Sequence, residues 1–480
     1  MNAEIPEGWS NAKVEDLAEL IRGITYKKEY ARNSYEDGYK PILRANNINN
    51  TLNFDSLVYV PESLIDRKQY IEKDDIVFAM SSGSKHLVGK SARAIVDFNG
   101  SYGAFCGLVR PNINIYPPFL FYSFQDNRFK DFIQRVSKGS NINNLKREHI
   151  LGYSIFYPPI DEQKNIVAKI EELFSELDSG IASLKTAQQQ LKVYRQALLK
   201  HAFEGKLTEQ WRKDNADKLE TPEQLLARIQ TERETRYQQQ LEEWKQAVKD
   251  WEAKGKEGKR PSKPAKLKCT QRVVEQDFKI PNEWALTELS VLAYESVLGK
   301  MLDKQKNIGV DQDYLGNINV RWGYFDLNNL KQMKIEETEE SRYSLSQGDL
   351  VVCEGGEPGR CAIWKGEDGV MFIQKALHRV RFTKSYLSVF AYYYLTYAVP
   401  LERVVKHFTG TTIKHLTGTG LGKVQFPICS LAEQQEIVNK LEEKLSIIEQ
   451  NEKEIESALA KAELLRQSIL KKAFSGLLLM

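Results

Sequence analysis

Cysteine, histidine and long apolar runs are what this 480-residue sequence has least of. Its five cysteines, Cys106, Cys269, Cys353, Cys361 and Cys429, form no Cys-x-x-Cys pair and make an odd number. That argues against a disulfide framework or a thiolate zinc site and suits reduced thiols in a cytoplasm. The six histidines show no metal-ligand spacing, so no metal site is expected. No apolar N-terminal segment and no run of about 18 apolar residues occurs, so neither secretion nor a membrane partner is expected. Charge of one sign is lacking too: the net value is only +3. A nucleic-acid binder of this composition needs basic faces rather than a basic whole.

Catalytic signatures are missing, although three stretches come near. Asn114-Ile115-Tyr116-Pro117-Pro118-Phe119 has the outline of the Asn/Asp-Pro-Pro-Tyr/Phe of adenine methyltransferases, but Tyr116 stands where the acceptor carbonyl residue must be. Gly418-Thr419-Gly420-Leu421-Gly422-Lys423 is one residue short of a phosphate loop, and Val424 replaces its magnesium-binding Ser/Thr. Glu162-Gln163-Lys164 has the Glu-x-Lys of a nuclease, yet the second copy of this stretch carries Gln435 in place of Lys164. The chain is expected to do no chemistry and to hold no cofactor.

What is present is a duplication. Glu162-Gln163 with Ile166-Val167 returns as Glu433-Gln434 with Ile437-Val438. Arg195-Gln196 through Ala202-Phe203 and Gly205 returns as Arg466-Gln467 through Ala473-Phe474 and Gly476. Every match has the offset 271. Between these ends apolar residues recur at alternating steps of four and three. The first copy has Ile170, Phe174, Leu177, Ile181, Leu184, Leu191 and Leu198, interrupted by Gln188 and Arg195. The second has Leu441, Leu445, Ile448, Ile455, Leu459 and Ile469, interrupted by Glu452 and Arg466. Both are heptad seams of helices roughly 60 Å long, and such helices are natural antiparallel partners. Arg195 and Arg466 fall where a coiled coil prefers leucine; either they snorkel to solvent or they meet acidic groups at a domain junction.

The rest of the chain falls around these helices. Residues 1–157 read as a mixed, strand-rich domain with a helix from Phe119 to Val136. Residues 158–207 are the first long helix. Residues 208–278 hold a charged helical run, Pro222 to about Trp251, followed by a basic segment. From Lys254 to Lys268 seven basic residues face Glu257 alone, which reads first as a flexible solvated linker. Residues 279–425 restart the first domain: Ile280–Trp284 mirrors Ile5–Trp9, Asn317-Ile318 mirrors Asn47-Ile48, and Gly348–Val351 mirrors Asp74–Val77. Residues 426–480 are the second long helix. The expected fold is α+β: two mixed α/β domains separated by a long antiparallel two-helix coiled coil, with a pseudo-twofold internal repeat.

The two globular copies keep framework positions and differ in loops, as two modules reading two different things would. The loops mix Arg and Lys with Asn, Ser and Thr near glycines. Arg and Lys suit guanine edges, Asn suits adenine, and hydroxyls suit phosphates. The candidates in the first copy are Arg44, Asn46, Asn47, Lys85, His86, Lys138, Ser140, Asn141, Lys146 and Arg147. In the second they are Arg342, Arg360, Lys375, His378, Arg379, Thr411, Thr412, Lys414 and His415.

The paired Ile-Pro-x-x-Trp starts, the run Pro158–Val167 and the run Arg195–Thr208 resemble the specificity subunits of type I restriction–modification systems. The resemblance covers essentially the whole chain. The approach to the second helix, Pro427-Ile428-Cys429-Ser430-Leu431, departs from the first, and the insertion after Thr208 matches only some members. The resemblance implies two target recognition domains, each reading half of a bipartite, asymmetric double-stranded DNA site, with the helices setting the gap. It also implies partners: two modification subunits that methylate adenine with S-adenosylmethionine, and restriction subunits that use ATP and magnesium. A fused methyltransferase or nuclease, or a coiled-coil adaptor with no DNA role, are the competing classes.

Overall fold

The computed structural model describes residues 7–49, 51–82, 88–136, 144–258, 260–264, 279–303 and 307–479. In chain order the first half contains β1 (Ser10–Lys13), β2 (Ala18–Arg22), β3 (Tyr39–Leu43), β4 (Val58–Pro61), β5 (Ile76–Ala79), β6 (Ser91–Arg93), β7 (Ser101–Tyr102) and β8 (Cys106–Pro111). Helices α1 (Pro117–Gln125) and α2 (Asn127–Val136), strand β9 (Ser154–Tyr157) and the 44-residue helix α3 (Ile160–Phe203) follow. Then come α4 (Glu209–Asp214) and α5 (Pro222–Ala253). The second half repeats the first: β10 (Ala285–Glu288), β11 (Ala293–Leu298), β12 (Val310–Leu315), β13 (Lys331–Ile335), β14 (Leu350–Cys353), β15 (Cys361–Ile363), β16 (Phe372–Ile373), β17 (Leu377–Phe382), α6 (Ser388–Ala398), β18 (Gln425–Ile428) and the 43-residue α7 (Leu431–Ala473).

The chain divides into two compact units, Met1–Ala187 with Lys453–Met480, and Gln188–Glu452. Their sheets have one topology written twice. A four-stranded antiparallel sheet runs β2-β8-β5-β6 in the first unit and β11-β17-β14-β15 in the second. A three-stranded sheet runs β4-β3-β7 and, correspondingly, β13-β12-β16. The pair β1-β9 returns as β10-β18 and closes each domain where it meets its helix.

Heptad periodicity forms the long helices, and burial follows it. Ile170 and Phe174 are buried and Leu177, Ile181, Leu184 and Leu191 half-buried, with Leu198 buried near the end. In α7, Leu441, Leu445, Ile448, Ile455 and Ile469 are buried and Leu459 half-buried. Pairing is antiparallel. In the second unit Arg195 meets Glu452 and, a few turns on, the Leu207 carbonyl accepts from Lys440, so α7 numbers fall as α3 numbers rise. Gly205 and Gly476, both at φ +71°, end the two helices in the left-handed conformation that glycine adopts without strain.

Each helix end is rooted in a domain core. Ile166, Val167 and Ile170 join Ile469, Leu470 and Phe474 around Phe119 and Phe78 in the first unit. Leu198, Phe203, Ile437 and Leu441 join Tyr394 and Phe426 in the second.

One expected element differs. The helix from Phe119 to Val136 is two helices, because Asp126 is extended (φ −68°, ψ 143°) and its carboxylate accepts the Arg128 backbone N–H at 2.8 Å. Aspartate in that role starts a new helix rather than continuing an old one.

Candidate nucleic-acid interface

The repeated Glu-Gln pair at each helix start is a docking device. Gln163 donates to the Pro158 carbonyl at 2.8 Å and accepts the Tyr116 N–H at 2.8 Å. Gln434 donates to the Cys429 carbonyl at 3.0 Å and accepts the Leu387 N–H at 2.9 Å. Trp9 donates to Glu162 at 3.3 Å and Trp284 to Glu433 at 2.9 Å. The nuclease-like Glu162-Gln163-Lys164 and the methyltransferase-like Asn114–Phe119 therefore meet as framework: Tyr116 presents its amide to Gln163.

A second duplicated device holds the sheet to its turn. Arg110 grips Asp75 through Nε at 2.8 Å and through a terminal nitrogen at 2.7 Å, and Arg381 grips Asp349 at 2.6 and 2.9 Å. Both aspartates are buried, and the residue before each has positive φ, +72° at Asp74 and +89° at Gly348. Neither arginine stands out in the sequence; only the 271-residue offset between them marks the pair.

Loops at the far ends of these strands converge in the same way in both domains. In the second domain the Leu416 N–H donates to the Glu354 carbonyl at 2.7 Å, and the Glu354 N–H donates to Ala376 at 2.8 Å. In the first, Leu145 donates to Met80 at 2.7 Å and Met80 to Phe105 at 2.9 Å. Around this shared backbone scaffold the exposed side chains differ. The second domain presents Lys375, Thr411, Thr412, Ile413, Lys414 and His415. Residues 409 to 415 form a hairpin tip closed by two backbone bonds of 2.8 Å between Thr409 and His415. Arg342, exposed beside the Tyr343 ring, lies on the 337–343 helix, which Glu339 ties to Lys300 at the edge of this cluster. The first domain presents Phe105, 69% exposed, and Lys146, which follows Leu145, on the same scaffold; Asn46 is exposed as well. Phe105, in the run Ala104-Phe105-Cys106, and Ile413, between Thr412 and Lys414, do not stand out in the sequence, where an apolar residue reads as core.

Several expected contact residues are structural instead. Asn47 is buried; its side chain accepts the Arg44 N–H at 3.0 Å and donates to the Asp55 carbonyl at 3.0 Å. Its counterpart is Asn319, not Asn317, since Asn319 accepts from Gly316 and donates to Asp326, each at 3.0 Å. His378 is buried with Nε2 3.0 Å from the Leu416 carbonyl, and burial lowers its pKa. Arg379 is fully buried, bonded to Glu295 at 2.8 Å and to the Ser344 carbonyl, and desolvation lowers its pKa. None of these three side chains can reach a base, because all their polar atoms face inward.

Others are tied by hydrogen bonds, with Arg44, Lys146 and Arg147 exposed and Arg360 half-buried. Arg44 donates to the Ser56 carbonyl at 3.1 Å, Arg147 to Leu20 at 2.7 Å, and Arg360 to Asn317 at 2.9 Å and Glu357 at 2.9 Å. Lys146 pairs with Glu148 at 3.5 Å. Lys85, His86, Lys138, Ser140 and Asn141 lie outside the described residues. Among the described residues no cluster of His, Cys, Asp and Glu fits a metal ion.

Two comparisons bear on the family. The profile of the type I restriction modification DNA specificity domain matches residues 6–192 and again 303–458. The EcoKI specificity subunit of Escherichia coli strain K12 is 32% identical, covering 98% of this chain and 90% of its own. The chain belongs to the type I restriction–modification specificity subunits. The StySPI specificity subunit of Salmonella potsdam is 30% identical over 98% of the chain. Two solved structures share the specificity-subunit fold over 99% of the chain at 15–16% identity. One is from a study of type I system assembly and conformational transition (TM-score 0.65), the other is the HsdS subunit of Thermoanaerobacter tengcongensis (TM-score 0.53). The twofold profile match follows the internal repeat: each copy brings one domain and one helix.

Proposed function

We propose that this specificity subunit reads a bipartite, asymmetric site in double-stranded DNA, one half by each loop cluster. The single observation behind this reading is the duplicated backbone scaffold that carries unlike exposed side chains: Phe105 with Lys146 in one domain, and Lys375, Thr411, Thr412 and Lys414 in the other. Hydroxyls and lysines at an exposed hairpin tip suit phosphates and base edges, and exposed apolar residues suit thymine methyls. Helices α3 and α7 set the gap between the half-sites.

The subunit does no chemistry of its own. Methylation with S-adenosylmethionine belongs to modification subunits, and ATP- and magnesium-dependent cleavage to restriction subunits, all in the cytoplasm where the DNA is. Two modification subunits suit the repeat, because exposed apolar pairs also recur at the offset: Val193 with Tyr194 (62% and 50% exposed) and Leu464 with Leu465 (70% and 51%). They lie off the seam, facing away from the partner helix.

Exchange of residues 1–157 for those of another specificity subunit tests the reading. Mapping modified adenines across a genome should show one half-site altered and the other retained; a change in both halves overturns separate modules. A matched insertion in α3 and α7 should lengthen the gap and leave both half-site sequences as they were.

A further inference from the structure

The charged insertion between the repeats is built as an arm. Helix α5 starts at the Thr221–Gln224 capping box, and Leu225 and Ile229 bury it in the second domain. Arg233 then donates to the Val291 carbonyl at 2.7 Å, and Arg236 lies 3.9 Å over the Tyr294 ring. Two contacts three residues apart on both segments set α5 running in the direction of residues 291–294, and so of β11. From Tyr294, β11 rises about 13 Å to Leu298 and so to the loop cluster of Lys300 and Lys375. From Arg236, α5 rises about 22 Å to Trp251. Its tip therefore reaches past the level of that cluster.

The described part of the basic segment after α5, residues 254–258 and 260–264, is a strap packed on the helix, where composition reads a flexible linker. The chain reverses through Gly255 (φ +76°), Lys256 (+65°) and Gly258 (+78°), with the Lys256 N–H capping the Trp251 carbonyl at 2.9 Å. On its return the Gly258 carbonyl accepts from the Trp251 indole at 3.2 Å, and the Pro261 carbonyl from Trp244 at 3.0 Å. The earlier carbonyl meets the later tryptophan and the later carbonyl the earlier one, so the strap runs antiparallel to α5. Lys263 lies 5.9 Å over the Trp244 ring. Lys254, Lys256, Arg260 and Lys263 are all exposed. A solvated linker has no need of two indoles to hold its carbonyls.

We propose that α5 and its strap form a phosphate-binding arm, which lays these four cations on the DNA backbone beside the half-site read by the second domain. The inference rests on the DNA reading above. It adds a contact that carries no sequence information and raises affinity for any duplex, since such contacts act by releasing counterions.

The test uses the complex with modification subunits and two duplexes, one with the recognised site and one without. Replacement of Lys254, Lys256, Arg260 and Lys263 by alanine should weaken both duplexes alike, by about tenfold or more at low salt. The slope of log K against log salt should shrink by roughly 0.9 for every phosphate no longer neutralised. The methylated sequence should not change. Lys254→Arg, Lys256→Arg and Lys263→Arg together should retain wild-type affinity, which separates charge from folding. Unchanged affinity and slope in the alanine variant overturn the arm. So does loss of subunit assembly with DNA binding intact, which would assign the strap to a protein partner. A wild-type complex that prefers neither duplex instead overturns the base reading, and leaves the arm to be judged on the salt slope.

Discussion

The Arg195 guanidinium donates to the Glu452 carboxylate at 2.9 Å across the seam between α3 and α7. Its repeat, Arg466, reaches Asp178 and lies 4.4 Å over the Phe174 ring. Of the two fates open to these arginines, the acid partner holds, and each acid sits on the facing helix. Both side chains of the Arg195 pair are about a quarter exposed (28% and 29%). A partly exposed pair of this kind is worth only about 1 kcal/mol, less than a leucine at the same seam position would contribute. Its value is in register: a slip of either helix leaves a charge in an apolar seam. Arg195→Ala should therefore cost about 1 kcal/mol, and Arg195→Leu with Glu452→Leu should restore or exceed wild-type stability. Thermal unfolding of the three proteins checks this; a double variant weaker than Arg195→Ala would refute it.

The Asp349–Arg381 grip predicts a larger effect. Asp349 is buried and also accepts the Ser346 N–H at 2.8 Å. Asp349→Ala leaves Arg381 with Glu295 as its acidic partner and should cost about 3 kcal/mol or more. Lys375→Ala, at an exposed position, should change stability by less than about 0.5 kcal/mol. Denaturant titration of both variants decides.

Reading and framework should separate on mutation. Thr411→Ala or Lys414→Ala should relax one half-site, by about 1–3 kcal/mol for each hydrogen bond to a base that disappears, with stability intact. Asn47→Ala should do the reverse, since it opens the Arg44–Asp55 turn and leaves two part-buried backbone groups without the bonds its buried side chain makes. Comparing modified-site maps with melting temperatures checks both; Asn47→Ala with altered specificity and normal stability would contradict the assignment.

The exposed pairs on the helices predict twofold docking. Tyr194→Glu should remove one modification subunit from the complex, and Leu465→Glu the other, because a carboxylate buried in an apolar contact is costly. Native mass spectrometry of the assembled complex counts the subunits. Full assembly of the double variant would sink the idea.

Acidification should loosen the second domain through His378. Burial depresses its folded pKa below the ordinary value, so the unfolded chain binds a proton at a higher pH than the folded one. Its contribution to stability is complete above the unfolded pKa and declines as pH falls toward the folded value. His378→Gln keeps a donor for the Leu416 carbonyl without the titration. The drop in melting temperature between pH 7.5 and 5.5 should be smaller in that variant than in wild type.

Local and periodic features were legible in the chain. The duplication, both heptad helices and the family resemblance need only spacing and residue type, because helix packing repeats every few residues. The helix break at Asp126 was not, since a single capping carboxylate outweighed a continuous apolar pattern. Among the site candidates, Thr411, Thr412 and Lys414 lie exposed at a loop tip, whereas Asn47, His378 and Arg379 turn inward. A polar side chain near glycines looks the same in sequence whether it faces water or a buried carbonyl.

Spacing and residue type alone make this protein two copies of one module, joined by helices that must pair. Which polar residues hold the scaffold and which face solvent is settled by what folding brings beside them. The same holds for the two arginines on the seam and for the basic strap on α5. Their partners, Glu452, Asp178, Trp244 and Trp251, are chosen by distance after folding, and a charge or an indole in sequence does not say what will lie beside it.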